Sequence, residues 1–349
     1  MRTTTFGRNT GLRVSEFALG TANFGTLWGG GADRDEARRI LDRFTDAGGT
    51  LIDTSDSYQL GTSEQILGEL LVANREQYVL STKFSLGAGR PHPSTTGNSR
   101  KNIRRSVEAS LRRLGTDYVD IYWAHLPDGL TPVEEIVTAL DDLVRAGKIL
   151  HAGLSNFPAW RVSRAVTLAD LRGWSPLVGV QFEYSLAERS ADRELLPMAE
   201  ALGLGTTLFA PLGGGLLTGK YRTGTAGRLT DWEGRGIRTE DSEQRTRIVD
   251  TLLTAARETG CTPAQVSMAW LRARAADSPT ALVPIVGPRS ADHMESYLSV
   301  LDLTLDEAVL QRLDEVSAVP LGQPHELVAG ALGPVRGGRT VTRPAAPPA

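Results

Sequence analysis

Eight short apolar runs, each closing on a small or polar residue, recur along this chain and constrain its fold more than any other feature. They are Phe17 to Gly20, Thr50 to Asp53, Tyr78 to Lys83, Tyr118 to His125, Ile149 to Ser155, Leu177 to Gln181, Gly205 to Ala210 and Ala281 to Gly287. Between them the apolar residues shift to helical spacing, as in Ala37, Ile40, Leu41, Phe44 and Ala47, in Ile103, Val107, Leu111 and Leu114, or in Val133, Ile136, Leu140 and Leu143. Strands that alternate with one-faced helices pair in parallel, because each helix carries the chain back along the sheet. Eight such units predict an α/β fold closed into a (β/α)8 TIM barrel. An open doubly wound sheet would want Gly-x-Gly-x-x-Gly after its first strand, and Gly20-Thr21-Ala22-Asn23-Phe24-Gly25 does not supply it.

Three segments interrupt the rhythm. Residues 3 to 14 read as a β-hairpin around Asn9-Thr10-Gly11, placed to plug the N-terminal end of the barrel. Residues 213 to 241, rich in Gly, Thr and Arg, follow the seventh strand as the natural lid. The barrel domain is expected to occupy 1–322. The remaining 323–349 hold nine Gly or Pro with little periodicity, as expected of a mobile tail or loosely packed cover.

With 38 basic and 41 acidic residues and a net charge of -3, the chain lacks the electrostatics of a nucleic-acid or membrane-surface binder. Its longest uncharged stretch, Ala201 to Gly219, contains six glycines and Pro211, so it reads as a strand and a glycine-rich loop and not as a membrane span. Arg2, Arg8 and Arg13 interrupt any N-terminal signal, and Met1 is the expected start. One cysteine, Cys261, cannot form a disulfide framework, which points to a reducing, cytoplasmic setting. The five histidines form no ligand-spaced cluster, so no metal is expected.

Barrel chemistry sits at the C-terminal ends of the strands. Asp53 ends the second run, Tyr58 follows five residues later, Lys83 ends the third and His125 the fourth. An isolated Asp or Lys at a strand end is ordinarily a loop cap or an ion pair, and a lone Tyr is ordinarily packing. Four such groups converging on one mouth suggest more. A lysine ammonium beside a phenol stabilises the phenolate and eases release of its proton. Asp53 would keep Lys83 charged, and a neutral His125 would orient a substrate carbonyl. These are roles for protonating a carbonyl that is being reduced. No side chain here supplies hydride, so a nicotinamide must.

Three stretches carry a resemblance to a known family. They are Leu51-Ile52-Asp53-Thr54-Ser55-Asp56-Ser57-Tyr58 with Gly61-Thr62-Ser63-Glu64 and Leu67-Gly68, then Gly97-Asn98-Ser99-Arg100 through Leu111 to Asp120 and His125, then Gly153-Leu154-Ser155-Asn156-Phe157. From about Thr4 to about Leu321 the chain resembles the aldo-keto reductase superfamily, and looks most like its bacterial branch related to the potassium-channel β subunits. The resemblance implies an NADPH-dependent carbonyl reductase with Asp53, Tyr58, Lys83 and His125 as the catalytic tetrad. It further implies that Ser155, Asn156 and Gln181 bind the nicotinamide carboxamide, that Phe209 stacks on its ring, and that Gly20, Thr21 and Asp53 border the cofactor. Ala210, Pro211, Leu212, Gly213, Gly215 and Lys220 resemble the pyrophosphate loop, and Gly287 and Arg289, with Ser290, the segment that takes the adenosine 2′-phosphate.

Several positions depart from the family pattern. Ala210 replaces a serine, His293 a glutamine, and Tyr297 an asparagine, so Tyr297 is expected either to stack on the adenine or to leave NADPH less tightly held. Gln59 replaces the glycine that often follows the tyrosine, and nothing in the sequence explains it.

Substrate-pocket candidates are Phe24, Trp28, Tyr58, Trp123 and His125, with Leu126 to Gly129, Trp160 and the 213 to 241 loop nearby. The expected substrate is a small-molecule aldehyde or ketone. A redox-sensing NADPH-binding subunit and a keto-sugar reductase are the competing readings. Oligomeric state is open.

Overall fold

A computed structural model describes residues 1–223 and 238–340 of the chain. Among the described residues ten strands appear in order: β1 (Thr3–Thr5), β2 (Arg13–Ser15), β3 (Ala18–Gly20), β4 (Leu51–Asp53), β5 (Val79–Phe84), β6 (Val119–Ala124), β7 (Ile149–Ser155), β8 (Leu177–Glu183), β9 (Gly205–Phe209) and β10 (Leu282–Val286). The last eight close into a parallel barrel in which β10 pairs with both β9 and β3. This is the predicted (β/α)8 barrel, and its strands fall on the eight apolar runs.

Helices α1 (Arg34–Asp46), α2 (Thr62–Leu71), α3 (Arg100–Leu114), α4 (Val133–Arg145), α5 (Ala159–Arg172), α6 (Leu195–Leu202), α7 (Glu243–Thr259), α8 (Pro263–Asp277), α9 (Ala291–Leu298) and α10 (Glu307–Ser317) follow among the described residues. The three stripes read from the sequence are buried except for Ala47, which caps the end of α1 and is half-buried: α1 buries Ala37, Ile40, Leu41 and Phe44, α3 buries Ile103, Val107, Leu111 and Leu114, and α4 buries Val133, Ile136, Leu140 and Leu143. Local chemistry fixes their ends. Ser99 accepts the Asn102 N–H at the start of α3 and left-handed Gly115 ends it, while Thr262 and Gln265 form a reciprocal capping box on α8.

The N-terminal hairpin pairs Thr3 with Ser15. Phe6, just beyond β1, is fully buried and meets the edge of Trp123 at a centroid distance of 6.3 Å. Its ring takes the space a Cβ would need at Gly179 and Gly205, 2.6 and 2.8 Å away. Two strands therefore need glycine so that one aromatic can stop the N-terminal end of the barrel.

At the other end of the chain, α11 (His325–Val335) has no buried residue. Residues 341–349 of the expected tail lie outside the described residues, as do 224–237 of the expected lid. What is described of that lid begins with two 3-10 turns, Gly213–Thr218 and Lys220–Thr223. No helix among the described residues is long and apolar enough to cross a membrane.

Candidate active site

Parallel closure sends the C-terminal ends of all eight strands to one mouth, and the polar residues that ended the apolar runs meet there. Asp53 closes β4, Lys83 stands next to last in β5, and His125 follows β6 by one residue. Lys83 is fully buried and spends its three ammonium protons on Asp53 Oδ2 at 2.5 Å, the Thr54 carbonyl at 2.7 Å and the Tyr58 hydroxyl at 3.2 Å. Burial alone would push the Lys83 ammonium to lose its proton. The Asp53 carboxylate and the Tyr58 oxygen outweigh it and hold the pKa above the ordinary lysine value. Asp53 is fixed from its other side, where Oδ1 accepts from Ser81 Oγ at 2.8 Å and Gln181 Nε2 at 3.1 Å.

His125 stands edge-on to Tyr58 with ring centroids 6.2 Å apart. Its backbone is pinned by Phe84 O and by Asn156 Nδ2, and its Nδ1 lies 3.4 Å from Ser55 Oγ. Burial and the nearby Lys83 charge push the imidazole pKa down to about 3, so the ring is neutral at physiological pH. A neutral imidazole offers one donor and one acceptor to the mouth.

Some of the cofactor candidates adjoin this group through Asp53 and His125. Ser155 ends β7, left-handed Asn156 (φ 61°) follows it, and Gln181 donates to Thr207 Oγ1 at 2.9 Å as well as to Asp53. Thr21 spends its N–H and hydroxyl on the Asp53 carbonyl, and a Cβ at Gly20 would stand 2.6 Å from Ile285 Cγ2. Phe209 is half-buried at the end of β9, and from it Ala210 (φ 52°), Pro211 and Leu212 lead into Gly213, Gly214 and Gly215, all with positive φ. Lys220 is half-buried beyond them.

Gly287 and Arg289 precede α9, His293 lies in its first turn and Tyr297 in its last, and Ser290 caps the helix by accepting the His293 N–H. His293 is exposed and Tyr297 half-buried. Asn23 reaches over from the β3–α1 loop to donate to Gly287 O at 2.8 Å and Pro288 O at 3.3 Å. Glu36 Oε1 accepts the Ala291 N–H at 2.6 Å, so a carboxylate of the chain itself lies at the positive end of this helix.

The expected aromatic pocket wall is corrected in part. Phe24 and Trp123 are both fully buried, Phe24 in the layer between sheet and helices and Trp123 inside the barrel against Phe6. Trp123 points into the barrel by the alternation of β6, and its ring fits there because Gly153 on the neighbouring strand has no Cβ, which would come 2.2 Å from it. Trp28 is half-buried and meets Tyr58 edge-on at 6.3 Å. Trp160 is 68% exposed. The Leu126 to Gly129 loop is stiffened by Asp128. Although burial opposes it, hydrogen bonds from Thr131, Asn98 and Leu130 bring that carboxyl down to about 2.

Two residues to which the sequence assigned no role are placed by the structure. Asp56 is buried, and its burial together with the Glu64 charge pushes its pKa up to about 7, against the pull of Arg113. Its neighbour Glu64 is fully buried and accepts from Thr82 Oγ1 at 2.6 Å and Arg113 Nε at 2.7 Å. The second is Gln59, whose backbone is left-handed (φ 49°), which explains why glycine suits this position. A cleft of about 340 Å³ lined by Arg2, Arg8, Glu16 and Arg272 opens beside the N-terminal hairpin, away from these groups. Among the described residues no cluster of His, Cys, Asp and Glu could hold a metal.

The sequence model of the aldo/keto reductase family matches residues 16–318. An oxidoreductase of Bacillus subtilis, described as uncharacterized, is 35% identical over 339 residues, covering 94% of this chain and 100% of the relative. The norsolorinic acid reductase of Aspergillus flavus is 33% identical, covering 90% of this chain and 80% of its own. An aryl-alcohol dehydrogenase of Pestalotiopsis microspora is 31% identical, covering 93% and 84%.

Proposed function

The chain belongs to the aldo/keto reductase family, and from that premise we propose that it reduces an aldehyde or ketone to an alcohol, using NADPH, with Tyr58 as proton donor. The observation that carries this reading is the line Asp53 Oδ2 to Lys83 Nζ to Tyr58 Oη, 2.5 and 3.2 Å, beside a neutral imidazole. A bound nicotinamide would supply the hydride that the carbonyl carbon receives.

Tyr58 gives its hydroxyl proton to the carbonyl oxygen as that oxygen gains charge. The phenolate left behind is stabilised by the Lys83 ammonium, which Asp53 keeps charged in a buried setting. His125 donates to the same oxygen and orients the carbonyl, and its neutrality means that it does not compete as an acid. Catalysis of this kind needs the donors in place before the substrate arrives, and Asp53 is held by three partners for that purpose.

The residues at the mouth fit a dinucleotide. Gln181 is tied through Nε2, which leaves Oε1 to accept a carboxamide N–H, and Ser155 and Asn156 adjoin it. The half-buried face of Phe209 suits a planar ring. Consecutive left-handed glycines at 213 to 215 make a backbone concavity without side chains, as a pyrophosphate requires. Arg289 beside the α9 N-terminus supports NADPH over NADH. The substrate reading is an aryl aldehyde or ketone, supported by the Trp28–Tyr58 edge contact and by the aryl alcohol in one relative's name.

The test is NADPH oxidation over a panel of aryl and alkyl aldehydes and ketones, with Tyr58→Phe as control. Turnover should fall by roughly 10²- to 10⁴-fold in the variant while NADPH affinity is kept. Undiminished turnover in Tyr58→Phe would overturn the assignment of the proton donor.

A further inference from the structure

Gln59 sits directly after Tyr58 in a conformation that side chains rarely adopt. Its φ is 49° and that of Leu60 is 55°, so two consecutive non-glycine residues hold left-handed backbone. Each costs on the order of 1 kcal/mol or more, and such strain persists only where the surroundings impose it. What Gln59 makes in return is specific. Its side chain is 1% exposed and both ends of its amide are used: Nε2 donates to the Ala22 carbonyl at 3.0 Å, and Oε1 accepts the Trp28 N–H at 3.0 Å.

Both partners lie on the β3–α1 loop, six residues apart. The loop packs on the stem of the glutamine, for a Cβ at Gly25 (φ 118°) would meet Gln59 Cγ at 3.0 Å. Ser63 holds the base of the same loop, donating to Thr21 O and Phe24 O at 3.0 and 2.8 Å. Farther along, Gln59 ties the backbone of Trp28, whose ring stands edge-on to Tyr58. The side chain next to the tyrosine therefore ties the backbone of the residue whose ring borders the tyrosine's ring.

We propose that Gln59 is a positioning residue that sets substrate selectivity: by clamping Ala22 and Trp28 it fixes the Trp28 ring as one wall of the pocket over Tyr58, so that a flat aryl carbonyl is held against it. Glycine at this position would relieve the backbone but release the wall. The proposal rests on the carbonyl-reductase reading of the site and adds to it the residue that selects among carbonyls. Gln59 acts through Trp28 and touches no reacting atom.

The experiment compares the unmodified chain with Gln59→Gly, Trp28→Ala and the double variant, using benzaldehyde and butanal with NADPH. Glycine accepts a φ of 49°, so the variant is expected to fold. Gln59→Gly should raise KM for benzaldehyde about tenfold while kcat for either aldehyde stays within about twofold and butanal KM is unchanged. The effects of Gln59→Gly and Trp28→Ala should not add, because both remove one wall. Gln59→Glu, which keeps an acceptor for the Trp28 N–H, should recover part of the benzaldehyde KM. Equal losses for both aldehydes, or a fall in kcat alone, would overturn the proposal and place the effect at Tyr58. If the unmodified chain reduces neither aldehyde, the reductase reading falls. Hydrogen exchange then decides the clamp: Gly25 to Gly30 amides should exchange at least tenfold faster in Gln59→Gly, and equal rates would refute it.

Discussion

Lys83 Nζ lies 2.5 Å from Asp53 Oδ2 with essentially no solvent access to either side chain, and Thr54, Tyr58, Ser81 and Gln181 all hydrogen-bond to that pair. Removing one partner of a buried pair strands the other charge. Lys83→Met should cost about 3–5 kcal/mol of stability in denaturant unfolding, together with nearly all turnover. Adding Asp53→Leu should restore much of the stability and none of the activity. If Lys83→Met alone is as stable as the parent, the pair does not hold the barrel mouth.

His125 is held neutral, and the sign of its pH effect follows. Its folded pKa, about 3, is below the ordinary value of 6.5, so the unfolded chain binds the extra proton first as pH falls. Stability from this site is full above pH 6.5 and is lost between there and pH 3. The pH profile of turnover should carry no limb from His125 between pH 5 and 8. A His125→Gln variant that keeps the parent's acid sensitivity across that window would contradict this.

Asp56 behaves in the opposite sense. Its carboxyl is pushed from 3.8 up to about 7 by burial and by Glu64, so the native state keeps a proton that the unfolded chain gives up. The site is neutral in both states below pH 3.8 and becomes a growing liability from there to about pH 7. Asp56→Asn should flatten that slope and stabilise the protein at pH 8 by roughly 1–4 kcal/mol, with no gain at pH 3.5. Thermal unfolding of both proteins at four or five pH values reads the difference directly.

Glu36 places a negative charge on the Ala291 N–H, beside Arg289. A cofactor phosphate at the start of that helix would meet a like charge. Glu36→Gln should therefore lower the KM for NADPH several-fold and leave that for NADH within about twofold, as read by initial rates at low ionic strength. An equal change for both cofactors would remove Glu36 from phosphate recognition.

Phe6 stops the N-terminal end of the barrel against Gly179, Gly205 and Trp123. Phe6→Ala leaves a cavity that those strands cannot close, at a cost of about 3–5 kcal/mol. Measured in urea, a loss under about 1 kcal/mol would show that the hairpin is dispensable to the core.

Much of the barrel was legible because its signals are local. An apolar run ending on Asp53, Lys83 or Ser155 states both that a strand is buried and where it stops, and parallel closure then sends those ends to one place. Trp123 shows where that reasoning thins out. Its side chain alternates into the barrel like any other on β6, but whether an aromatic there faces the substrate or the plug depends on Phe6 and on the missing Cβ of Gly153. Asp56 is similar: its polar neighbours in sequence say nothing of its burial, and only the packing of α2 and α3 brings Glu64 and Arg113 close.

The sequence by itself determined the run of strands, the helical faces and the polar residues at the strand ends, because each is written within a few neighbouring positions and the barrel does the rest. Tertiary structure alone decided the clamp of Gln59 on Trp28, the plug at Phe6, the burial of Asp56 and the meeting of Glu36 with Ala291 across 255 positions. Those outcomes depend on distances and on exclusion of water between distant segments, quantities that exist only once the chain has closed on itself.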